Sequence, residues 1–300
     1  MTKSVFVSIV GRTNAGKSSL LNAIIDEKIA SVSNKPQTTR TRITGIKTVG
    51  DTQMVFMDTP GLHKPKNKLS THMLNAAKSS IVDMDAILFV MDCTNRFVSD
   101  EEDEFLKNLM RSKAKVILVL NKIDLLSDKS VLVHIITELS QKYNFDSIIP
   151  ISVIYEDGIS IVEEEVMKLA KDSPHFFPDE KFTDQPEKVL AAEMIREKIL
   201  NALEKEVPHG IAVGIERMEE RDNKDILDID AVIYCERMSH KGIVIGKGGN
   251  MLKHIASAAR YDLEKFFRIQ VNLKCWVKVK EDWRNKEGLI KNFGLADDGT

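Results

Sequence analysis

Cysteine is scarce in this 300-residue chain: Cys93, Cys235 and Cys275 lie far apart and form no C-x-x-C pair. That excludes a disulfide framework and a cysteine zinc site as expectations, and it fits a reducing, cytoplasmic compartment. Long apolar runs are also missing. A membrane span needs roughly 18–20 apolar residues, and the longest candidate, 86–91, is only strand-sized. The apolar run near the amino terminus leads into a glycine-bearing loop, so it reads as a strand and not as a signal peptide. No sign of charge dominates: 43 Lys and Arg stand against 45 Asp and Glu, a net −2. Charge must therefore be read locally. Hydrophobic content of 43% and charged content of 29% are ordinary for a globular chain. Three hundred residues suggest two domains.

What is present begins at residues 11–18, Gly11-Arg12-Thr13-Asn14-Ala15-Gly16-Lys17-Ser18, followed by Ser19. The pattern G-x-x-x-x-G-K-S follows an apolar run (Val5, Val7, Ile9, Val10) and precedes Leu20, Leu21, Ile24 and Ile25, spaced for one helix face. Strand, loop and helix together are the context a phosphate-binding loop requires. Gly11 and Gly16 permit backbone conformations that a side chain would block. The N–H groups of Gly16, Lys17 and Ser18 can face one phosphate at the positive end of the helix that is predicted to end near Glu27. Lys17 would reach the β- and γ-phosphates and Ser18 would ligate Mg²⁺.

Further elements follow at the expected intervals. Residues 31–42 are polar and read as a loop able to close on a γ-phosphate; Thr38 and Thr39 are both candidate Mg²⁺ ligands, with Thr39 favoured. A strand at 54–57 delivers Asp58-Thr59-Pro60-Gly61-Leu62. Asp58 could hold Mg²⁺ through a water, and the Gly61 N–H could meet the γ-phosphate, so that losing this phosphate releases both loops. Ser99 and Glu102 form a capping box for a helix carrying Phe105, Leu106 and Leu109. A buried strand at 116–120 ends in Asn121-Lys122-Ile123-Asp124. Here Asp124 would accept from N1–H and the exocyclic amine of guanine, bonds of ~1.5–3 kcal/mol each that adenine cannot make. Asn121 would tie this loop to the first one, and the Lys122 stem would cover the base. Ser152 and Val153 would support the guanine O6 through backbone N–H groups; alanine is usual where Val153 stands. Helices at 129–142 and 159–171 and a strand at 148–151 complete an alternating pattern. That pattern predicts a doubly wound α/β fold with a mostly parallel sheet and GTP at the strand ends.

Two absences bear on hydrolysis. Leu62 stands where Ras-type enzymes place a water-orienting glutamine, and no intrinsic arginine finger can be assigned. Slow intrinsic hydrolysis is expected. In several GTPases with a hydrophobic residue at the Leu62 position, an asparagine at the position of Asn14 helps bind K⁺, which supplies the charge an arginine finger would.

Residues 173–187 hold three prolines and read as a linker, with Pro186 as a first helical residue. An amphipathic helix follows (Ala191, Ile195, Ile199, Leu200, Leu203), then strands at 211–215 and 226–234 around an acidic turn at 216–225. Lys241 and Ile245 precede Gly246-Lys247-Gly248-Gly249, which opens a helix running through Arg260 with Lys253 in its first turn; a last strand at 271–279 carries Trp276. The glycines fit the GXXG loop of a KH domain, which lets an RNA backbone approach closely while lysine meets phosphate. Charge coincides with this element. Residues 237–280 contain ten Lys and Arg against Asp262 and Glu264, net +8, whereas 216–230 contain three basic and seven acidic residues, net −4.

Over nearly its whole length the chain resembles the Era family, bacterial-type GTPases with a carboxy-terminal KH domain. The marks are 11–18, Pro36-Gln37-Thr38-Thr39-Arg40, Asp58 to His63, Asn121 to Asp124, Val244 to Lys253 and Trp276-Val277-Lys278-Val279-Lys280. Thr13, where proline is common, and Val153 depart from the pattern. The resemblance implies GTP hydrolysis with Mg²⁺ and binding of small-subunit ribosomal RNA near its 3′ end. It further implies maturation of the small ribosomal subunit and peripheral association with the cytoplasmic membrane. A monomer with no DNA partner is expected. The expected layout is a GTPase domain at 1–172, a linker at 173–187, a KH domain at 188–285 and a tail at 286–300.

Overall fold

The computed structural model describes residues 1–62, 65–95, 98–128, 130–222 and 224–295; His63 and the tail residues 296–300 fall outside. The chain divides into two compact units. One comprises Met1–Glu27, Arg42–Lys64 and Met73–Asp184; the other comprises Lys28–Thr41, Pro65–His72 and Gln185–Thr300.

The first unit is built on β1 (Lys3–Val10), α1 (Lys17–Ile25), β2 (Ile43–Val49) and β3 (Thr52–Asp58), followed by α2 (Lys68–Ser79), which begins in the second unit's share of the chain. After these come β4 (Ala86–Asp92), α3 (Asp100–Leu109), β5 (Lys115–Asn121), α4 (Ser130–Lys142), β6 (Ser147–Pro150), α5 (Ile159–Met167) and β7 (Lys171–Asp172). The sheet order is β2-β3-β1-β4-β5-β6, with β7 against the start of β1. Pairing is parallel except for β2–β3 and β1–β7. The central strands are apolar on both faces, as burial between helices on either side demands: Val5, Val7, Ile9 and Val10 are buried in β1, and all of 86–91 in β4. Every proposed nucleotide contact in this unit follows the carboxyl end of a parallel strand, where doubly wound sheets open their crevice. Both halves of the Ser99–Glu102 capping box form, at 3.3 and 2.9 Å.

The segment expected as a linker lies along this unit as far as Asp184. Gln53, fully buried, donates to Phe177 O at 2.9 Å and accepts from the N–H groups of Phe176 and Phe177 at 2.8 and 3.0 Å. Phe176 packs edge-on to Phe6, and Thr183 donates to Thr44 O at 2.6 Å. A buried amide bonded on both its ends is what lets a proline-rich segment stay down.

The second unit holds α6 (Glu187–Ala202), β8 (Ile211–Glu220), β9 (Ile226–Cys235), α7 (Met238–Ile245), α8 (Asn250–Phe267), β10 (Gln270–Val279) and α9 (Glu287–Asn292). Its sheet order is β10-β9-β8, parallel between β10 and β9 and antiparallel between β9 and β8. One core joins α6 (Ala191, Met194, Ile195, Ile199), β9 (Ile229, Ala231, Ile233) and α8 (Ile255, Ala259, Leu263). This is the α-β-β-α-α-β order that a KH domain requires. Among the described residues no helix is long and apolar enough to cross a membrane.

Several boundaries differ from the sequence reading. Helix α1 stops at Ile25 because Asp26 turns left-handed at φ 61°. Helix α5 stops at Met167, and Lys171–Asp172 pairs with β1 instead of continuing the helix. Strand β8 runs on to Glu220 past a bulge at Ile215/Arg217, so residues 216–220 belong to the strand and not to the acidic turn. Helix α8 extends to Phe267, well beyond Arg260. Pro186 caps α6 from outside the helix. Strand β2 and helices α2 and α9 were not anticipated.

Candidate nucleotide site and GXXG surface

The loop between β1 and α1 is shaped by its glycines. Gly16 sits at φ 100°, and a Cβ there would lie 2.1 Å from the Asn121 amide nitrogen. Only a residue lacking a side chain allows the loop and the Asn121 side chain to meet. Asn121 then donates to Ala15 O at 2.9 Å while its Oδ1 accepts from the N–H groups of Lys122 at 2.8 Å and Val153 at 3.3 Å. One buried side chain thus joins the loops after β1, β5 and β6.

Lys17 is 6% exposed and donates to Arg12 O at 2.9 Å. Burial pulls its pKa down to about 8, against the opposing pull of Asp58. Beside it, Ser18 Oγ donates to Asp58 Oδ2 at 2.5 Å, with Asp58 fully buried at the end of β3. Thr59 donates to Ile9 O at 2.9 Å and Leu62 N–H to Gly11 O at 3.1 Å, so 58–62 is pinned against β1 and its loop. A Cβ on Gly61 would fall 2.6 Å from Thr13 N, which measures how closely these segments approach. The half-buried Leu62 side chain packs against the core cluster that includes Val10 and Phe89. Arg12 pairs with Glu102 at 3.5 Å, and Asn14, left-handed at φ 64°, lines a cavity with Thr13, Ala15, Asp92 and Glu102. Pro60 is buried in the same segment, while Ser19 lies half-buried on α1.

On the base side, Ser152 Oγ donates to Asp124 Oδ1 at 2.6 Å, and paired backbone bonds of 3.0 Å between Ser152 and Asp157 hold Ser152 in place. Lys122 is left-handed at φ 69°, Ile123 N–H donates to Ile151 O at 3.3 Å, and the Lys122 ammonium reaches Asp92 Oδ2 at 2.5 Å. Burial would raise the Asp92 carboxyl, but bonds from Lys122 and Thr94 outweigh it and hold the pKa low. The sequence reading did not identify Asp92; its place at the end of a fully apolar strand was the available signal.

Thr38 and Thr39 belong to the second unit's share of the chain. Thr38 Oγ1 donates to Lys35 O at 2.7 Å, and Thr39 is 7% exposed. The GXXG loop links α7 to α8. A Cβ on Gly246 would meet Met251 at 2.6 Å, whereas Gly248 and Gly249, at φ 59° and 80°, face open space. Lys247 and Lys253 are exposed around them, and Lys241 and Ile245 are half-buried.

The depressed Lys17 pKa sets a pH signature for phosphate binding. A phosphate favours the ammonium form, so between about pH 8 and the ordinary lysine value of 10.5 binding takes up a proton. Affinity for GDP should therefore fall as pH rises from 7.5 to 9, and calorimetry in buffers of different ionisation enthalpy should show proton uptake. Lys17→Arg, charged throughout this window, should flatten the dependence. An equal pH dependence in both proteins would refute the assignment.

Comparison with known proteins agrees with this geometry. Residues 6–122 match the family described as 50S ribosome-binding GTPase, and residues 206–284 match the KH domain. The GTPase Era of Clostridioides difficile is 48% identical over 297 residues, covering 99% of this chain and 100% of that protein. The GTPase Era of Ruminiclostridium cellulolyticum is 48% identical over 292 residues, 97% of each. A variant of Aquifex aeolicus Era solved with GDP·AlF4⁻ superposes with a TM-score of 0.94 at 35% identity, over 98% of this chain and 100% of that one. An Era structure in complex with MgGDPNP and nucleotides 1506–1542 of 16S ribosomal RNA gives the same TM-score and identity over 99% and 100%. With a phosphate-binding loop, a guanine-type Asn121–Asp124 segment and a GXXG module in one chain matched from end to end, this protein belongs to the Era GTPase family.

Proposed function

We infer that this chain is a GTP-hydrolysing switch. It binds small-subunit ribosomal RNA near its 3′ end through the GXXG module and assists maturation of that subunit. One observation carries the reading: the nucleotide site and the GXXG surface occur together in a chain that matches, over 99% of its length, an Era structure solved with MgGDPNP and a 16S ribosomal RNA segment.

The residues divide the work by chemistry. Gly11–Ser18 present N–H groups to phosphate, and Lys17 supplies a charge that burial makes strongly dependent on an anionic partner. Ser18 and Asp58 converge oxygen donors at 2.5 Å, and a hydroxyl with a carboxylate suits a hard divalent cation. Mg²⁺ held there, with Thr39 as a further ligand, would neutralise charge on the phosphates. Asp124, oriented by Ser152, reads the guanine edge, while Asn121 and the backbone of Val153 hold that loop. Leu62 is committed to the core and orients no water, so hydrolysis by this chain alone is slow. Asn14 stands in the cavity beside Asp92 and Glu102, and K⁺ held there would supply positive charge near the phosphates. At the GXXG loop, Gly248 and Gly249 leave room for an RNA backbone and Lys247 meets its phosphates.

Asp124→Asn should move preference from GTP towards xanthosine triphosphate, since two charge-assisted bonds of ~1.5–3 kcal/mol are at stake; unchanged competition between the two nucleotides would remove Asp124 from the base site. Hydrolysis should be faster in KCl than in NaCl at equal ionic strength, and Asn14→Ala should erase that difference. Equal rates in the two salts for the unaltered protein would end the potassium reading. Lys247→Asp combined with Gly248→Asp should abolish binding of an RNA carrying nucleotides 1506–1542 of 16S ribosomal RNA while GTP hydrolysis persists. Retained binding in a filter assay would place the RNA elsewhere.

A further inference from the structure

A cavity of about 310 Å³ lies wholly within the second unit, lined by α6, the start of β8 and residues 292–295. Val189 and Ala192 of α6, Val213 of β8 and Phe293 give it apolar walls, and Arg40 and Arg196 line it as well. Both arginines are 2% exposed. Arg196 donates through Nε to Glu193 Oε1 at 2.7 Å and through Nη2 to Glu193 Oε2 and Thr38 O. Arg40 donates to Ile211 O at 2.5 Å and to His209 O at 2.9 Å, where β8 begins. Its guanidinium lies 5.7 Å from the ring centre of the buried Trp283.

These bonds leave two donors unused. Arg40 Nε and Arg196 Nη1 are buried and have no hydrogen-bond partner among the described residues. Buried N–H groups are almost always paired, because an unpaired one keeps its full desolvation cost. Charge is unbalanced in the same place. Glu193 pairs with Arg196 and Glu236 with Arg284, whereas Arg40 is bonded only to carbonyls and forms no ion pair among the described residues. Three guanidiniums thus share two carboxylates. A buried cation without a carboxylate of its own is costly. Burial and the neighbouring Arg196 charge draw the Arg40 pKa down to about 9.

We propose that this cavity is a binding site for a small apolar carboxylate, whose oxygens accept from Arg40 Nε and Arg196 Nη1 while its hydrocarbon body lies on Val189, Ala192, Val213 and Phe293. One negative charge matches one uncompensated guanidinium, which favours a carboxylate over a doubly charged phosphate monoester. A volume of about 310 Å³ stands at the lower end of small-ligand pockets and suits a short-chain acid. The carboxylate has two sources, a free acid or a side chain of the same chain. Leu295 lines the cavity, and Asp297 and Asp298 follow it in the sequence. None of the cavity residues belongs to the nucleotide or GXXG residues assigned above.

The test uses the full chain, with isobutyrate as the probe and isobutyramide, its uncharged isostere, as the control. Affinity is measured by calorimetry, and the contact is located by NMR at the Arg40 Nε–H resonance. Isobutyrate should bind saturably and shift that resonance, and isobutyramide should bind at least about tenfold more weakly, as loss of a charge-assisted bond requires. Arg40→Gln should weaken isobutyrate binding by about tenfold or more for the same reason. Ala192→Leu, which fills the cavity and leaves both arginines in place, should do the same, and it decides the matter if Arg40→Gln does not fold. If isobutyrate binds only to the doubly substituted Asp297→Asn, Asp298→Asn protein, the site stands and its carboxylate comes from the same chain. Failure of isobutyrate to bind either that protein or the unaltered one overturns the proposal. So does equal affinity for the amide, or full binding that survives either cavity substitution.

Discussion

The nucleotide site depends on one buried amide. Asn121 gives its nitrogen to Ala15 O and its oxygen to the N–H groups of Lys122 and Val153. Three loops that leave three different strands are thereby held in one arrangement. The bond exists only because position 16 is glycine, since a Cβ there would lie 2.1 Å from the same nitrogen. A buried hydrogen bond contributes about 1 kcal/mol net, but leaving its partners unpaired costs more than that. The geometry that presents phosphate donors and the geometry that presents Asp124 are therefore the same geometry.

Around this joint, charge is managed by burial. Lys17 is enclosed until its ammonium is weakly favoured, and Ser18 and Asp58 close on each other at 2.5 Å. A site built this way gains most from a ligand that brings negative charge and a hard cation, which is what a magnesium nucleotide is. The Lys122–Asp92 pair works differently: both partners are partly exposed, and their effect is to set the course of the Lys122 stem more than to add stability.

In the second unit the same physics is applied to a different end. The three-stranded sheet and α6 and α8 form a single apolar core, which leaves the GXXG loop free of packing at Gly248 and Gly249. Residues 28–41 lie against that framework through Lys28, Ser31, Thr38 and Arg40. Hydrogen bonds hold them there, together with the burial of Ile29 and Ala30.

Much of this was written in local sequence. A run apolar on both faces, such as 86–91, can only be a covered strand, and a glycine-bearing loop between a strand and an amphipathic helix can only be a few things. The Gly11–Ser18 loop, the Ser99 capping box, the Asn121–Asp124 loop and the GXXG module were legible because their chemistry is contained in a handful of neighbouring residues. What local sequence could not specify was pairing across distance. Gln53 as the anchor of 174–177, Asp92 as the partner of Lys122 and Arg40 as the peg at His209 and Ile211 each depend on residues 30 to 171 positions away. Helix ends slipped by several residues for the same reason, because tertiary contacts decide whether a last turn is worth keeping. The sequence by itself determined the chemistry: which phosphate, which base and which backbone can be recognised. Only the tertiary structure decided that residues 28–41 are built into the second unit, because burial of a guanidinium against two carbonyls leaves no trace in the order of residues.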